Sequence, residues 1–470
     1  MNEIESIETR PTPWTFFRDA LKGTHRDFTA GSLNQAILAL AIPMVLEMVL
    51  ESLFAVVDVF WVGRLGADAI ATVGLTEAVL TLVFAVAMGL GMSTTAMVAR
   101  RIGEKDAPGA AVAAVQAIGL GLLAAALIGI PSLIYAPDLL RLMGASPGIV
   151  ATGSGYARIA LGGSGVVLML FLNNAIFRGA GDAAIAMRLL WVSNIINLIL
   201  DPCLIFGLGP FPRLGVTGAA LATLTGRSIG MLYQFYRLLR GSERIKILRS
   251  QIRVDGGVLA RLLRLSFTAM LQFLIAQASW LGLIRIVSLF GAQALAGYTI
   301  AIRIVIFIIL PSWGLSNAAA TMVGQNLGAG KPERASASVW RAGFYNMLFL
   351  GACGVVFIIF AEPIARLFTQ DPVVVRQAAL CLRILSYGNI AYAYGMVMLQ
   401  SFNGAGDTLT PTLVNLVGFW LMEIPVAYWL AVPLGYRSSG VYFSIVIAQA
   451  AMAIASIILF RQGRWQRQKV

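Results

Sequence analysis

The sequence predicts an all-α membrane protein: twelve transmembrane helices in two six-helix lobes, related by a pseudo-twofold axis along the membrane normal. Three observations predict it. Hydrophobic residues make up 58% of the 470-residue chain and charged ones 12%, with a mean hydropathy of +0.81, whereas a soluble domain carries about a quarter charged residues. The apolar residues come in blocks long enough to cross lipid, which takes about 20 residues. Several short motifs recur at one constant spacing.

In order, the spans are 36–62, 68–92, 109–136, 151–177, 183–208, 215–237, 262–289, 293–318, 338–361, 375–402, 410–433 and 438–460. Each must be helical, because lipid offers no partner to a free backbone N–H or C=O. The first 35 residues are mixed in charge and lack the apolar core of a cleavable leader. Within them, 12–21 sets Trp14, Phe17 and Leu21 at helical spacing, which fits either a helix lying on the membrane surface or a flexible tail.

The repeat organises the chain. Gly66-Ala67 matches Gly291-Ala292, Gly89 matches Gly314, and Met97-Val98 and Gly103 match Met322-Val323 and Gly328. Gly179-Ala180-Gly181-Asp182 matches Gly404-Ala405-Gly406-Asp407, and Gly215-Val216 matches Gly440-Val441. Every pair keeps the offset that separates Gly66 from Gly291, with no shift along the series. The expected organisation is a tail (1–35), an N-lobe (36–240), a polar, glycine-bearing linker (241–257), a C-lobe (258–461) and a second tail (462–470). Six spans is an even number, so both halves enter the membrane in the same direction. That is a transporter plan, with the substrate path between the halves.

Charge sets the orientation. With an even span count both termini share a side, and that side carries 24 of the 35 Lys and Arg residues against 7 on the other. The expectation is a multi-pass protein of the inner (plasma) membrane with both termini cytoplasmic. The net charge of +13 is mostly this bias, so no nucleic-acid partner is expected. Cys203, Cys353 and Cys381 fall in or near spans without metal or disulfide spacing and read as packing residues. His25 is the single histidine, in the first tail. With no phosphate-binding loop, nucleophile elbow or metal motif either, enzyme chemistry is not expected.

The chemistry must lie in the few polar residues inside spans, since an ionisable group at that depth needs a cavity or a partner. Glu47, Glu51 and Asp58 in span 1 sit at about 0°, 40° and 20° around a helix, on one face. Asn197 and Asp201 in span 5 are four apart and therefore neighbours. Thr223 in span 6 follows a run of small residues that permits close helix contact. By depth, Asp58, Asn197, Asp201 and Thr223 meet at one level, an oxygen set suited to Na⁺ or to one shared proton. A polar cluster that only ties helices together is the bland alternative. Glu77 and Glu423 are further intramembrane acids, read as cavity residues or as partners of a nearby Arg. Residues 179–182 and 404–407 read as turns. At the common offset Asp58 maps to Leu283 and Asp201 to Val426, so the acid chemistry is expected in the first half alone.

Together, Val57-Asp58-Val59-Phe60-Trp61-Val62-Gly63-Arg64-Leu65-Gly66, Arg178-Gly179-Ala180-Gly181-Asp182, Asn197-Leu198-Ile199-Leu200-Asp201-Pro202, Gly215-Val216-Thr217-Gly218-Ala219-Ala220 and Asn403-Gly404-Ala405-Gly406-Asp407 resemble the multidrug and toxic compound extrusion family, across nearly the whole chain. The resemblance implies a secondary active antiporter of two six-helix lobes, exporting amphipathic and often cationic compounds in exchange for H⁺ or Na⁺. Within the family the sequence is similar to the DinF type. That implies an N-lobe cation or proton site at Asp58, Asn197, Asp201 and Thr223, with the Ala219 carbonyl as a further ligand. The NorM type has acids in spans 7 and 10, where this chain has Gln272, Ala276, Gln277, Ala391, Tyr392 and Ala393. No C-lobe cation site is expected. No cofactor beyond the coupling ion is implied, and the expected partners are small amphipathic substrates and the bilayer, with the protein a monomer. A lipid-linked glycan flippase of the same superfamily is the alternative.

Overall fold

The computed structural model describes residues 12–23, 27–241, 244–468 and 470; His25 and part of the linker motif around Ser242 and Glu243 lie outside them. A short helix α1 (Pro13–Lys22) leads into α2 (Leu33–Gly63), α3 (Ala67–Gly103) and α4 (Ala107–Leu142). The first half ends with α5 (Pro147–Gly162), α6 (Ser164–Ala180), α7 (Ala183–Phe206) and α8 (Val216–Arg240). The second half runs through α9 (Gly256–Ser288), α10 (Ala292–Gly328), α11 (Pro332–Arg366), α12 (Pro372–Tyr387) and α13 (Asn389–Ala405). It closes with α14 (Leu409–Asn415), a π-helical stretch (Leu416–Glu423), α15 (Ile424–Ala431) and α16 (Arg437–Arg461).

These elements form twelve membrane-length rods, two sets of six. Among the described residues, ten rods are long and apolar enough to cross a bilayer by length and composition alone, with α5 and α6 counted as one. The other two are α8, which carries Arg227, Arg237 and Arg240, and the α12–α13 pair, which carries Arg376 and Arg383. Side chains such as Leu123, Leu127, Ile130 and Ile134 of α4 stay exposed. On a soluble protein such a surface would associate, whereas in lipid it is solvated.

Two predicted spans are broken. The fourth is α5 and α6, interrupted at Gly163, and the tenth is α12 and α13, interrupted at Gly388, its partner at the common offset. Glycine is a weak helix former. At Gly163 it also leaves room, since a Cβ would come within 2.7 Å of the Ile159 carbonyl and press on the Leu224 side chain of α8. Both broken rods start alike, with Ser146 and Asp371 capping first turns that open on Pro147 and Pro372.

The pseudo-twofold is visible where the halves touch. A Cβ on Gly103 would overlap the Gln325 carbonyl, and a Cβ on Gly328 would overlap the Arg100 carbonyl. Residues 100 and 325 are themselves repeat partners. Further along, a Cβ on Gly89 of α3 would come within 2.9 Å of the Met270 nitrogen of α9, and one on Gly314 of α10 within 2.8 Å of the Val45 nitrogen of α2. Thus α3 and α10 cross on the face that carries the linker, and each receives the first long helix of the other half.

The linker is not a loose tether. Ile245 and Ile247 are buried in the first-half core with Leu238 and Leu262, and Gln116 Nε2 donates to the Arg253 carbonyl at 2.6 Å. Both terminal segments cross over. Lys331 Nζ donates to Thr29 O (2.8 Å), and the Arg334 guanidinium to Ala30 O (2.8 Å) and Gly31 O (3.0 Å), tying the segment before α2 to the second half. Arg100 Nη2 donates to Gln468 O at 2.8 Å, tying the end of the chain to the first half. Helix α1 has formed, with Leu21 packed against Leu50, Met187 and Leu190. The three cysteines are free, Cys381 buried.

Candidate functional site

Helices α7 and α8 pack closely because small residues let them. A Cβ on Gly226 would come 2.9 Å from the Ser193 carbonyl, and Ser193 Oγ donates to Gly226 O at 3.0 Å. That contact sets Asn197 and Asp201 against Thr223. Asn197 Nδ2 donates to Asp201 Oδ1 (3.1 Å) and to Thr223 Oγ1 (3.2 Å), and both Asn197 and Asp201 are wholly buried. Ala219, one turn before Thr223, is wholly buried too. Asp58 of α2 lies near enough to act on Asp201 electrostatically, although no hydrogen bond joins it to the trio.

Three buried acceptor atoms here have no hydrogen-bond partner: Asp58 Oδ1, Asp201 Oδ2 and Asn197 Oδ1. Orphaned buried oxygens cost free energy, and a cation or a proton would satisfy them. Among the described residues no three His, Cys, Asp or Glu side chains are grouped to hold a metal, so a metal ion here would rest on two carboxylates with amide, hydroxyl and carbonyl oxygens.

Asp58 and Thr223 face a cavity of about 570 Å³ between the halves, in the part of the membrane away from the linker. Its wall is mostly apolar, with Phe54, Val83, Phe84, Ile306, Phe307 and Leu310. Into it also face Glu51, Glu77, Arg227 and Arg303. Arg227 Nη2 pairs with Glu51 Oε1 at 3.1 Å and lies 4.9 Å above the Phe54 ring. Arg303 of α10 acts on Glu77 across the gap between the halves.

Glu47 belongs elsewhere. It is buried one level nearer the linker face, where Asn174 Nδ2 donates to it at 3.0 Å and the Arg178 Nη1 nitrogen lies 3.4 Å away. It lines a second, smaller cavity with Asn317, Gln400 and Asn403. The shared acid face of α2 therefore serves two levels, with Glu51 reaching both cavities. Glu423 lines neither large cavity. Sequence reasoning missed Tyr156 of α5, which lines the large cavity and feels both Asp58 and Asp201; nothing in its spacing marks it. It also left Arg227 and Arg303 without a role, although an arginine inside a span demands a partner.

A family model described as MatE matches residues 43–203 and 268–429, well over half of the chain. The chain belongs to the MatE family. The two matched stretches fall one in each half and are displaced from one another as the repeated motifs are. The chain is 25% identical over 443 residues to the "Probable multidrug resistance protein NorM" of Thermotoga maritima, covering 93% of this chain and 94% of that one. It is 23% identical to the "Multidrug export protein MepA" of Staphylococcus saprophyticus, covering 92% and 94%. Among solved structures, an "Outward-facing conformation of a multidrug resistance MATE family transporter of the MOP superfamily" superposes with a TM-score of 0.87 at 28% identity, over 94% of this chain and 98% of that one. This MatE chain is a membrane transporter rather than an enzyme. Several of its relatives carry names of multidrug resistance or export and one is named a "FAD transporter", which gives the flippase alternative no support.

Proposed function

We propose that this MatE protein is a secondary active antiporter that exports amphipathic, often cationic, organic compounds in exchange for H⁺ or Na⁺. One observation supports the reading above all. A largely apolar cavity between the halves is bordered by a carboxyl group, Asp58, whose buried oxygen is unpartnered and whose neighbours Asp201 and Asn197 are in the same condition. An apolar wall with acids on it suits an amphipathic cation. Filling the orphaned oxygens with an ion favours one arrangement of α2, α7 and α8 over another, and that differential affinity lets a gradient bias access. The coupling set is Asp58, Asn197, Asp201 and Thr223 with the Ala219 carbonyl; Glu51 and Glu77 meet the substrate.

The test is transport of a panel of cationic dyes by the full chain in proteoliposomes, with pH and Na⁺ gradients imposed separately. Export driven by one of them supports antiport, and export driven by neither overturns it. The protein works as a monomer in the inner membrane with both termini in the cytoplasm. A cysteine placed at the exposed Arg249 is then labelled from the cytoplasmic side alone; labelling from outside intact cells would sink that orientation.

A further inference from the structure

Helix α7 and the α14–α15 rod are repeat partners, and their buried positions agree at first. Ser193 of α7 is buried, and so is Gly418, its counterpart at the common offset. Then they part. In α7 the next buried residues are Asn197, Asp201 and Ile205, each four after the last. In the partner they are Glu423, Ala427 and Ala431, so the first step is five. The π-helical stretch Leu416–Glu423 accounts for this, because an i→i+5 turn accommodates one extra residue. Pro425 follows, and a proline ring conflicts with the carbonyl four residues back, here Leu421, within that stretch.

The extra residue changes which side chain faces inward. At the constant offset the repeat partner of Glu423 is Leu198, which is 50% exposed toward lipid. Glu423 is instead 3% exposed and takes the inward place held by Asn197, while Ala427 takes that of Asp201. The repeat partners of Asp58 and Thr223 are Leu283 and Ala448, both buried. A lone carboxyl thus stands in an apolar copy of the N-half site.

It has no basic partner. No ion pair involves Glu423 among the described residues, and its Oε2 is buried without a hydrogen bond. The titratable groups around it are Tyr298 of α10 and Tyr392 of α13, with Tyr442 of α16 and Cys381 of α12 beyond Tyr298; α9 contributes none. Tyr442 stacks on Tyr298, with ring centroids 6.1 Å apart. A carboxyl without a cation beside it is cheapest to bury with its proton on, and two lone oxygens supply too few ligands for a metal ion.

We propose that Glu423 is a second proton-binding site, in the C-terminal half, separate from the Asp58–Asp201 site and free to exchange its proton as that half changes shape. The test is infrared difference spectroscopy on the full chain in lipid vesicles, following the carbonyl stretch of protonated carboxyl groups as pH is varied. Glu423→Gln is expected to remove one pH-dependent band that the Asp58→Asn/Asp201→Asn double variant retains. Glu423→Asp is expected to shift that band rather than erase it, which separates a local effect from misfolding. An unchanged set of bands in Glu423→Gln overturns the proposal, and so does a lost band whose intensity never follows pH. Gradient-driven export is measured on the same vesicles. Failure of the N-half coupling site would abolish the effect of its own variants and leave the Glu423 band in place.

Discussion

Helix α7 and its repeat partner carry the same turn before them, with Gly181 and Gly406 both left-handed at φ 85° and 84°, and face the same way for their first turns. One residue later they hold different chemistry. In α7 a regular helix presents Asn197 and Asp201 on one stripe, beside Thr223 and within reach of Asp58. In the partner a single π turn presents Glu423 alone. Duplicated halves can thus diverge by rotating a helix as well as by substitution: the π turn brings Glu423 into the place of Asn197, while Leu283, Ala427 and Ala448 stand where the first half has Asp58, Asp201 and Thr223.

The comparison breaks first at the acids. Asp58→Asn and Asp201→Asn are each expected to cut gradient-driven export by at least about tenfold, with the double variant little worse, because members of one unit are not additive. Uptake per folded molecule in proteoliposomes measures this. Normal uptake in both single variants would reduce the cluster to helix glue. The halves should agree, in contrast, at the crossing of α3 and α10. Gly103→Ala and Gly328→Ala each drive a methyl into a carbonyl of the opposite helix, at a cost of about 1–3 kcal/mol. Thermal unfolding in detergent should show similar losses for both, and a large loss for one alone would deny the twofold.

Glu423→Gln is expected to weaken export less than Asp201→Asn, by under about threefold, since the change preserves the neutral form that burial favours. Lost coupling in Glu423→Gln with a silent Asp201→Asn would reverse the roles of the halves. The smallest effect concerns the segment tied to α11. The hydroxyl of Thr29 donates to Asp27 Oδ1 at 2.6 Å and its amide at 2.8 Å, and the Thr29 side chain above all holds this carboxyl below the ordinary 3.8. A value lowered by folding contributes stability above 3.8 that fades as pH falls through the lowered value. The protection of residues 27–31 against hydrogen exchange, corrected for the intrinsic rate at each pH, should therefore fall in acid, and Asp27→Asn should abolish that loss of protection.

Much of this was legible in the sequence. Twelve apolar blocks and one constant offset between motifs gave the two sets of six, because lipid enforces length and helicity in every span. Asp58, Asn197, Asp201 and Thr223 were legible because polar atoms are scarce at that depth. The breaks at Gly163 and Gly388 were not, since a hydropathy block does not register a kink between two short helices. The inward place of Glu423 was not legible either, because one offset applied throughout pairs it with the exposed Leu198. Gly440-Val441 restores that offset after the π turn, so the one-residue rotation leaves no trace in the motif series. The split of the acid face between two cavities also escaped the sequence, because Asn174, Arg178 and Gln234, which claim the Glu47 level, come from α6 and α8.

The crossed terminal segments bear on how the chain is assembled. Residues 27–31 precede the first half yet are held by Lys331 and Arg334 of the second, while Gln468 ends the second half and is held by Arg100 of the first. Each half lends an arm to the other, as swapped protomers do. A first half emerging alone from the ribosome can dock α1 on its own helices, but the hydrogen bonds that hold residues 29–31 wait until Lys331 and Arg334 are made. Two fragments cut between Gly241 and Arg244 would each carry an arm whose hydrogen-bond partners lie on the other.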